Sequence, residues 1–202
     1  MELIATLVHN RNKAKKILKE VPNNSIVLFA EAVMIPSNTV RYYSEKKNLF
    51  VIYNDDYYAK GKSYITMRGV DKGKLKWMVY KYYLWKDDYK EGWDSAPKLA
   101  PIVKIRGHTA CVVICYEIAF VARFNKLYEI GKIAKKAKAE ILLMPANWSF
   151  NWRLPQYVSS IAFKRIPTLK ASLFSTRREL AFANTKKKPK KITEKGWVSI
   201  EI

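Results

Sequence analysis

The chain has 202 residues, 49% of them apolar and 13% aromatic. That is enough for one compact domain with a substantial core, and too apolar for a mainly disordered chain. The net charge of +21 leaves nucleic acid, an anionic membrane surface and an anionic substrate open as partners, beside a solvated Lys-rich surface of the kind common in thermophiles.

No apolar run reaches the roughly 18 residues that a bilayer span requires. The opening "MELIATLVHNRNKAKK" places its basic cluster after the apolar run, the reverse of a secretory signal. A soluble, cytoplasmic protein is the expectation. Two cysteines are too few for a disulfide framework, and two histidines argue against zinc. Cys111 and Cys115 read as part of one strand, where four residues span roughly 13 Å. A disulfide needs Cα atoms within about 7 Å.

In chain order, "LIATLVH" (3–9) is strand-like, and "NRNKAKKILKEV" is a short helix with an asparagine cap. "SIVLFA" (25–30) is a continuous apolar run suited to a strand buried on both faces, ending at Glu31. "SNTVRYYSEKK" predicts a helix capped by Ser37 or Asn38. "LFVIYN" and "SYITMRG" predict strands, and "DKGKLKWMVYKYYLW" a turn and another strand. "APIVKIRGHTACVVIC" predicts two strands around Gly107.

In "FNKLYEIGKIAKKAKAE", Phe124, Leu127, Ile130 and Ile133 recur at three-residue steps, predicting a helix with a basic outer face. "ILLMPANW" reads as a buried strand broken by Pro145, and "QYVSSIAFKR" as a helix that Pro167 interrupts and "PTLKASLF" resumes. "ELAFAN" is strand-like, and "KKITEKGWVSIEI" reads as a closing hairpin around Gly196. Alternating strands and helices indicate an α/β layered domain without repeats, covering 1–202.

Three apolar runs end in a reactive side chain: "SIVLFAE" in Glu31, "KWMVYK" in Lys81 and "CVVIC" in Cys115. Buried strands seldom tolerate charge, and α/β sheets gather functional groups at strand ends. Taken singly, each has a plain reading. A strand-end charge marks where chain meets water, and a cysteine in "VVIC" is a small buried hydrophobe. A Cys–His pair is a weaker alternative, because His108 lies about 23 Å from Cys115 along one strand.

Together, in this order, the three resemble the Glu–Lys–Cys site of the carbon–nitrogen hydrolase, or nitrilase, superfamily. "VLFAE" resembles its glutamate strand, with Ala30 in place of the usual proline. "YKYYLW" resembles its lysine motif, with Tyr83 where histidine is common. "ICYE" (114–117) matches the nucleophile motif intact. "EGW" (91–93) is similar to the second-glutamate segment of the amidase branch, and "MPANW" (144–148) to the strand and pocket loop that follow. The family's later Arg–Ala–x–Glu segment is represented by "KASL" (170–173).

The resemblance implies a four-layer α-β-β-α sandwich with an abbreviated C-terminal part. It implies thiol hydrolysis of a small non-peptide amide, nitrile or carbamoyl group, without a metal or cofactor. Cys115 is then the nucleophile, Glu31 the base, and Lys81 the oxyanion stabiliser beside the backbone N–H of Tyr116. Glu91 orients Lys81, while Tyr116, Glu117, Asn147 and Trp148 line the pocket, Glu117 chiefly as a buttress. Arg123 and Arg153 favour an anionic substrate. The resemblance also implies a homodimer through the helix after the cysteine. Two rival functions use the same chain: an acyltransferase with this triad, and a degenerate basic protein binding nucleic acid through residues such as Tyr42, Tyr57 and Tyr82.

Overall fold

The computed structural model describes residues 1–147, 153–177, 180–186, 189–191 and 196–202. Three parallel strands open the fold: β1 (Glu2–Thr6), β2 (Ile26–Leu28) and β3 (Phe50–Asn54), joined by α1 (Arg11–Glu20) and α2 (Ser37–Lys46). Asn10 caps α1 by accepting from the Lys13 amide at 3.0 Å. Successive side chains of a strand face opposite ways, and here both faces are buried. Leu3, Ala5, Ile26, Leu28, Phe50 and Ile52 enter one apolar cluster. Ile4, Val27, Val51 and Tyr53 enter another, with Ala14, Ile17 and Leu18 of α1 and Val40 and Tyr43 of α2. Each such aliphatic side chain stabilises the fold by roughly 1.5–3 kcal/mol.

The hairpin of β4 (Tyr57–Ala59) and β5 (Lys62–Tyr64) precedes antiparallel β6 (Thr66–Asp71) and β7 (Lys74–Tyr80), then α3 (Lys86–Lys90). The second half begins with β8 (Ile102–Ile105) and β9 (His108–Val112), followed by a 3₁₀ turn at Cys115–Phe120. A two-residue hairpin, β10 (Ala122–Arg123) with β11 (Lys126–Leu127), leads into α4 (Glu129–Lys136), β12 (Ile141–Ala146) and α5 (Arg153–Arg165). The chain closes with β13 (Ala171–Thr176), β14 (Phe182–Thr185), β15 (Pro189–Lys191) and β16 (Trp197–Glu201).

Among the described residues the strands form two six-stranded sheets, ordered β16-β1-β2-β3-β6-β7 and β15-β14-β13-β12-β9-β8. The sheets pack face to face, with Leu3, Ala5 and Ile26 sharing a cluster with Ala110, Leu143 and Leu173. Buried hydroxyls tie them as well: Ser175 Oγ accepts from the Thr6 amide and donates to the Leu28 carbonyl. α1 and α2 cover the first sheet. α4 and α5 make the crossovers between parallel β9, β12 and β13 and bury Ile130, Ala134, Val158 and Ile161. This is the four-layer α-β-β-α sandwich. At Gly131 of α4 the approach is very close: a Cβ there would stand 2.0 Å from the Val121 carbonyl oxygen.

Several local expectations change. Ser37 is the first helical residue of α2 rather than its cap, because Pro36 takes the cap position and Ser37 Oγ donates to Asp55 instead. The helix expected from Phe124 starts at Glu129, since Phe124 and Asn125 turn the small hairpin with positive φ. Pro145 sits inside β12 without breaking it. Pairing with β9 ends at Leu143, so no neighbour on that side requires an N–H from Pro145. "PTLKASLF" leads into β13 rather than a helix, which puts "KASL" in a strand. β16 forms no hairpin with β15; it crosses to the other sheet and pairs antiparallel with β1. Cys115 lies beyond β9, which ends at Val112.

Candidate active site

Glu31, Lys81 and Cys115 all leave their strands just before the site. β2 ends at Leu28, and the chain extends to Glu31 before turning at Ala32, whose φ is +60°. Asn54, at the end of β3, holds that turn: its Oδ1 accepts from the Ala32 amide at 2.9 Å, and its Nδ2 donates to the Thr66 carbonyl at 2.8 Å. Lys81 follows β7 and is fixed by its amide to the Ile65 carbonyl and by its carbonyl to the Ala96 amide. Cys115 opens the 3₁₀ turn with φ +53°, a left-handed conformation that costs a non-glycine residue on the order of 1 kcal/mol or more.

The three side chains meet. Lys81 Nζ lies 2.9 Å from Glu31 Oε1, with both side chains almost wholly buried. Glu31 and Cys115 line the same cavity, of about 450 Å³. The thiol stands within electrostatic reach of both charges. Burial raises its pKa well above the ordinary thiol value; the Glu31 carboxylate adds to this, while Lys81 and the Asn147 backbone amide oppose it. The resting sulfur is therefore protonated, with a carboxylate beside it to receive the proton. Oε2 of Glu31 is buried and has no hydrogen-bond partner among the described residues. Burial works against the charge on Lys81, but Glu31, Cys115 and Asp88 outweigh it and hold the ammonium well above the usual lysine range. It stays charged throughout the working pH range.

The second carboxylate on Lys81 is Asp88, not Glu91. Asp88 Oδ2 lies 2.9 Å from Lys81 Nζ and also accepts from the Trp85 amide at 2.7 Å, which starts α3. Glu91 is exposed on the cavity wall and accepts from the Trp93 indole at 3.3 Å. The segment "DDYKEGW" held the residue, but only the helical turn selects Asp88, which is the signal that spacing alone missed.

Glu117 is a structural brace, not part of the cavity wall. Its Oε1 accepts from the Tyr82 and Tyr83 amides at 2.6 and 3.2 Å, and its Oε2 from the Ile114 amide at 2.9 Å. It thus ties the segment after Lys81 to the segment before Cys115. Burial pushes its pKa up to about 7 against the pull of these three donors. Tyr116 turns away from the cavity to pack on Trp85 and Phe120, with ring centroids at 4.9 and 5.6 Å. Asn147 lines the cavity, and its side chain meets Arg177. Trp148 lies outside the described residues. Arg123 is exposed over the Phe124 ring, and neither it nor Arg153 lines the cavity, so the expected pointer to an anion falls away. His108 pairs with Glu140 at 3.3 Å rather than with a cysteine.

No family model matches this sequence, and no curated protein matches it. Solved structures do. An amidase from Nesterenkonia superposes with a TM-score of 0.77 over 100% of this chain and 90% of that one, at 11% identity. XC1258 from Xanthomonas campestris, a CN-hydrolase superfamily protein with an arsenic adduct in its active site, gives 0.72 over 99% and 89% at 10% identity. Saccharomyces cerevisiae Nit3, of branch 10 of the nitrilase superfamily, gives 0.71 over 92% and 82% at 12% identity. At such identities the likeness is one of fold, and the fold is that of the nitrilase superfamily.

Proposed function

We propose that the chain is a thiol amidase of the nitrilase superfamily, cleaving a small non-peptide carbon–nitrogen bond in the cytoplasm. The observation that carries the reading is the buried Glu31–Lys81–Asp88 chain of charges beside the Cys115 thiol, at the wall of a cavity. Glu31 takes the thiol proton as sulfur attacks the amide carbon. Lys81 stabilises the oxygen that becomes negative, with the backbone N–H of Tyr116 as second donor; such fixed stabilisation contributes a few kcal/mol per donor. Glu31 returns the proton to the departing ammonia or amine, leaving a thioester on Cys115. It then activates the water that releases the acid. With a nitrile the same attack gives a thioimidate. Asp88, through its contact, keeps Lys81 charged and aimed.

A variant of the Nesterenkonia amidase adds acrylamide at its active-site cysteine, and the same probe applies here. In Glu31→Gln, acrylamide should label Cys115 and leave Cys111 untouched, and turnover of simple amides should be lost in Cys115→Ala. An unlabelled Cys115 in a folded protein would overturn the reading. Acyl transfer differs only in the acceptor, so product analysis with added hydroxylamine separates the two. The same reading includes a homodimer around α4, supported by exposed Phe124, Tyr128 and Tyr157 on neighbouring elements. Light scattering that finds a monomer at every concentration would remove that part.

A further inference from the structure

The cavity wall runs against the charge of the chain that builds it. The sequence carries +21, yet among the described residues the lining groups that ionise are carboxylates, Glu31, Asp56, Asp87, Asp88 and Glu91, together with the thiol of Cys115. The ammonium of Lys81 is already engaged by two of them. Asp87 meets Lys90 at an exposed distance of 3.4 Å, whereas Asp56 and Glu91 have no ion pair among the described residues. Residues 148–152, which lie outside the described residues, carry no charge in the sequence. Lys86 stands 5.7 Å from the Trp85 ring centroid, and Arg177 reaches Asn147 at 3.5 Å, but neither lines the cavity.

Two further features point to a ligand. Oε2 of Glu31, a residue of this wall, is buried without a hydrogen-bond partner among the described residues, and the indoles of Trp85 and Trp93 stand in the wall beside the carboxylates. Aromatic faces and unpaired carboxylates together form a seat for an organic ammonium. Burial, and after it the neighbouring Glu31, push the Asp56 carboxyl up from its ordinary value, a cost that a bound cation would relieve.

Resting on the amidase reading, we propose that the substrate is a small amide bearing a protonated amine. The ammonium is held by Asp56, Glu91, Trp85 and Trp93 while the acyl carbon meets Cys115. The Lys-rich exterior repels such a molecule at long range, so selection takes place inside the cavity.

Two measurements test the proposal separately from the reading beneath it. The first needs no turnover. Methyl, 2-aminoethyl and 2-sulfonatoethyl methanethiosulfonate each place a disulfide on Cys115 as the thiolate displaces methanesulfinate, and mass spectrometry follows the rate. Relative to the same reagents on a small free thiol, the cationic reagent should react about tenfold or more faster than the anionic one, less so at high salt. An equal or inverted ratio overturns the proposal and leaves the amidase reading standing. A Cys115 inert even to the neutral reagent overturns both.

The second compares kcat/KM for 4-aminobutanamide, pentanamide and succinamate, which differ chiefly in charge. The cationic amide should lead by about tenfold or more. Asp56→Asn with Glu91→Gln should shrink that lead, with circular dichroism confirming the fold. Turnover without charge preference, or preference for succinamate, sinks the proposal alone.

Discussion

The two cysteines stand four residues apart, and both are buried, yet they occupy different chemical worlds. Cys111 sits in regular β9, paired with Ile102 on one side and Leu142 on the other, and burial, with the nearby Glu117 carboxyl second, pushes its thiol far up. Cys115 lies past the strand end, in a left-handed backbone conformation, facing a carboxylate and an ammonium. The sheet's ladder makes a thiol inert. Leaving the ladder exposes one to charge, so under the amidase reading reactivity is made by the end of a strand rather than by the residue type.

The sharpest way to break this comparison is to exchange the thiols. Cys115→Ala should reduce amide turnover by on the order of 10⁴-fold or more, whereas Cys111→Ala should leave kcat within about twofold and cost about 1 kcal/mol of stability. Comparable losses in both would erase the distinction. Next in size, Lys81→Met should lower kcat by about 10²- to 10³-fold. It should also destabilise the protein by about 3–5 kcal/mol, because Glu31 is left as a buried lone charge. Chemical denaturation beside steady-state kinetics separates the two effects.

Asp88→Asn should cost about 10²-fold in kcat, more than Glu91→Gln does with a neutral amide. The opposite order would restore the expected role of Glu91. The last effect falls on stability rather than turnover and concerns the brace. The folded-state pKa of Glu117 is about 7, above the ordinary carboxyl value. Its contribution is therefore complete at low pH and is lost as pH rises through 7, by about 3 kcal/mol. In Glu117→Gln that slope should vanish from the melting temperature between pH 5 and 8. The variant should also be less stable at pH 5 by about 1–3 kcal/mol, since an amide cannot accept from both Tyr82 and Ile114.

The sequence disclosed the layers where the physics is local. Continuous apolar runs such as Ile26–Leu28 and Ile141–Ala146 announced strands buried on both faces, and Asn10 announced a helix start. The candidate nucleophile was legible because "ICYE" is compact. Asp88 was not, because its meeting with Lys81 depends on how the chain after β7 turns back to set α3 beside it. The pairing of β16 with β1 was hidden for a related reason: it joins residues about 200 positions apart, and no local pattern names such a partner. Phe124 carried helical spacing but serves a turn, where tertiary context overrode the period. Asn54 at the end of β3 and Asp56 in the loop after it carry no functional signal in the sequence, although one fixes the turn at Glu31 and the other lines the cavity.

Gly131 gives the fold an unexpected point of control. The same Val121 carbonyl that a Cβ there would strike also accepts from the Tyr128 amide, and Val121 directly follows the turn that Cys115 opens. A single methyl group at this position would act as a wedge under α4, lifting the helix from the segment that runs on from Cys115. The depth to which this helix is allowed to sink thereby depends on the one residue that brings no side chain to the contact.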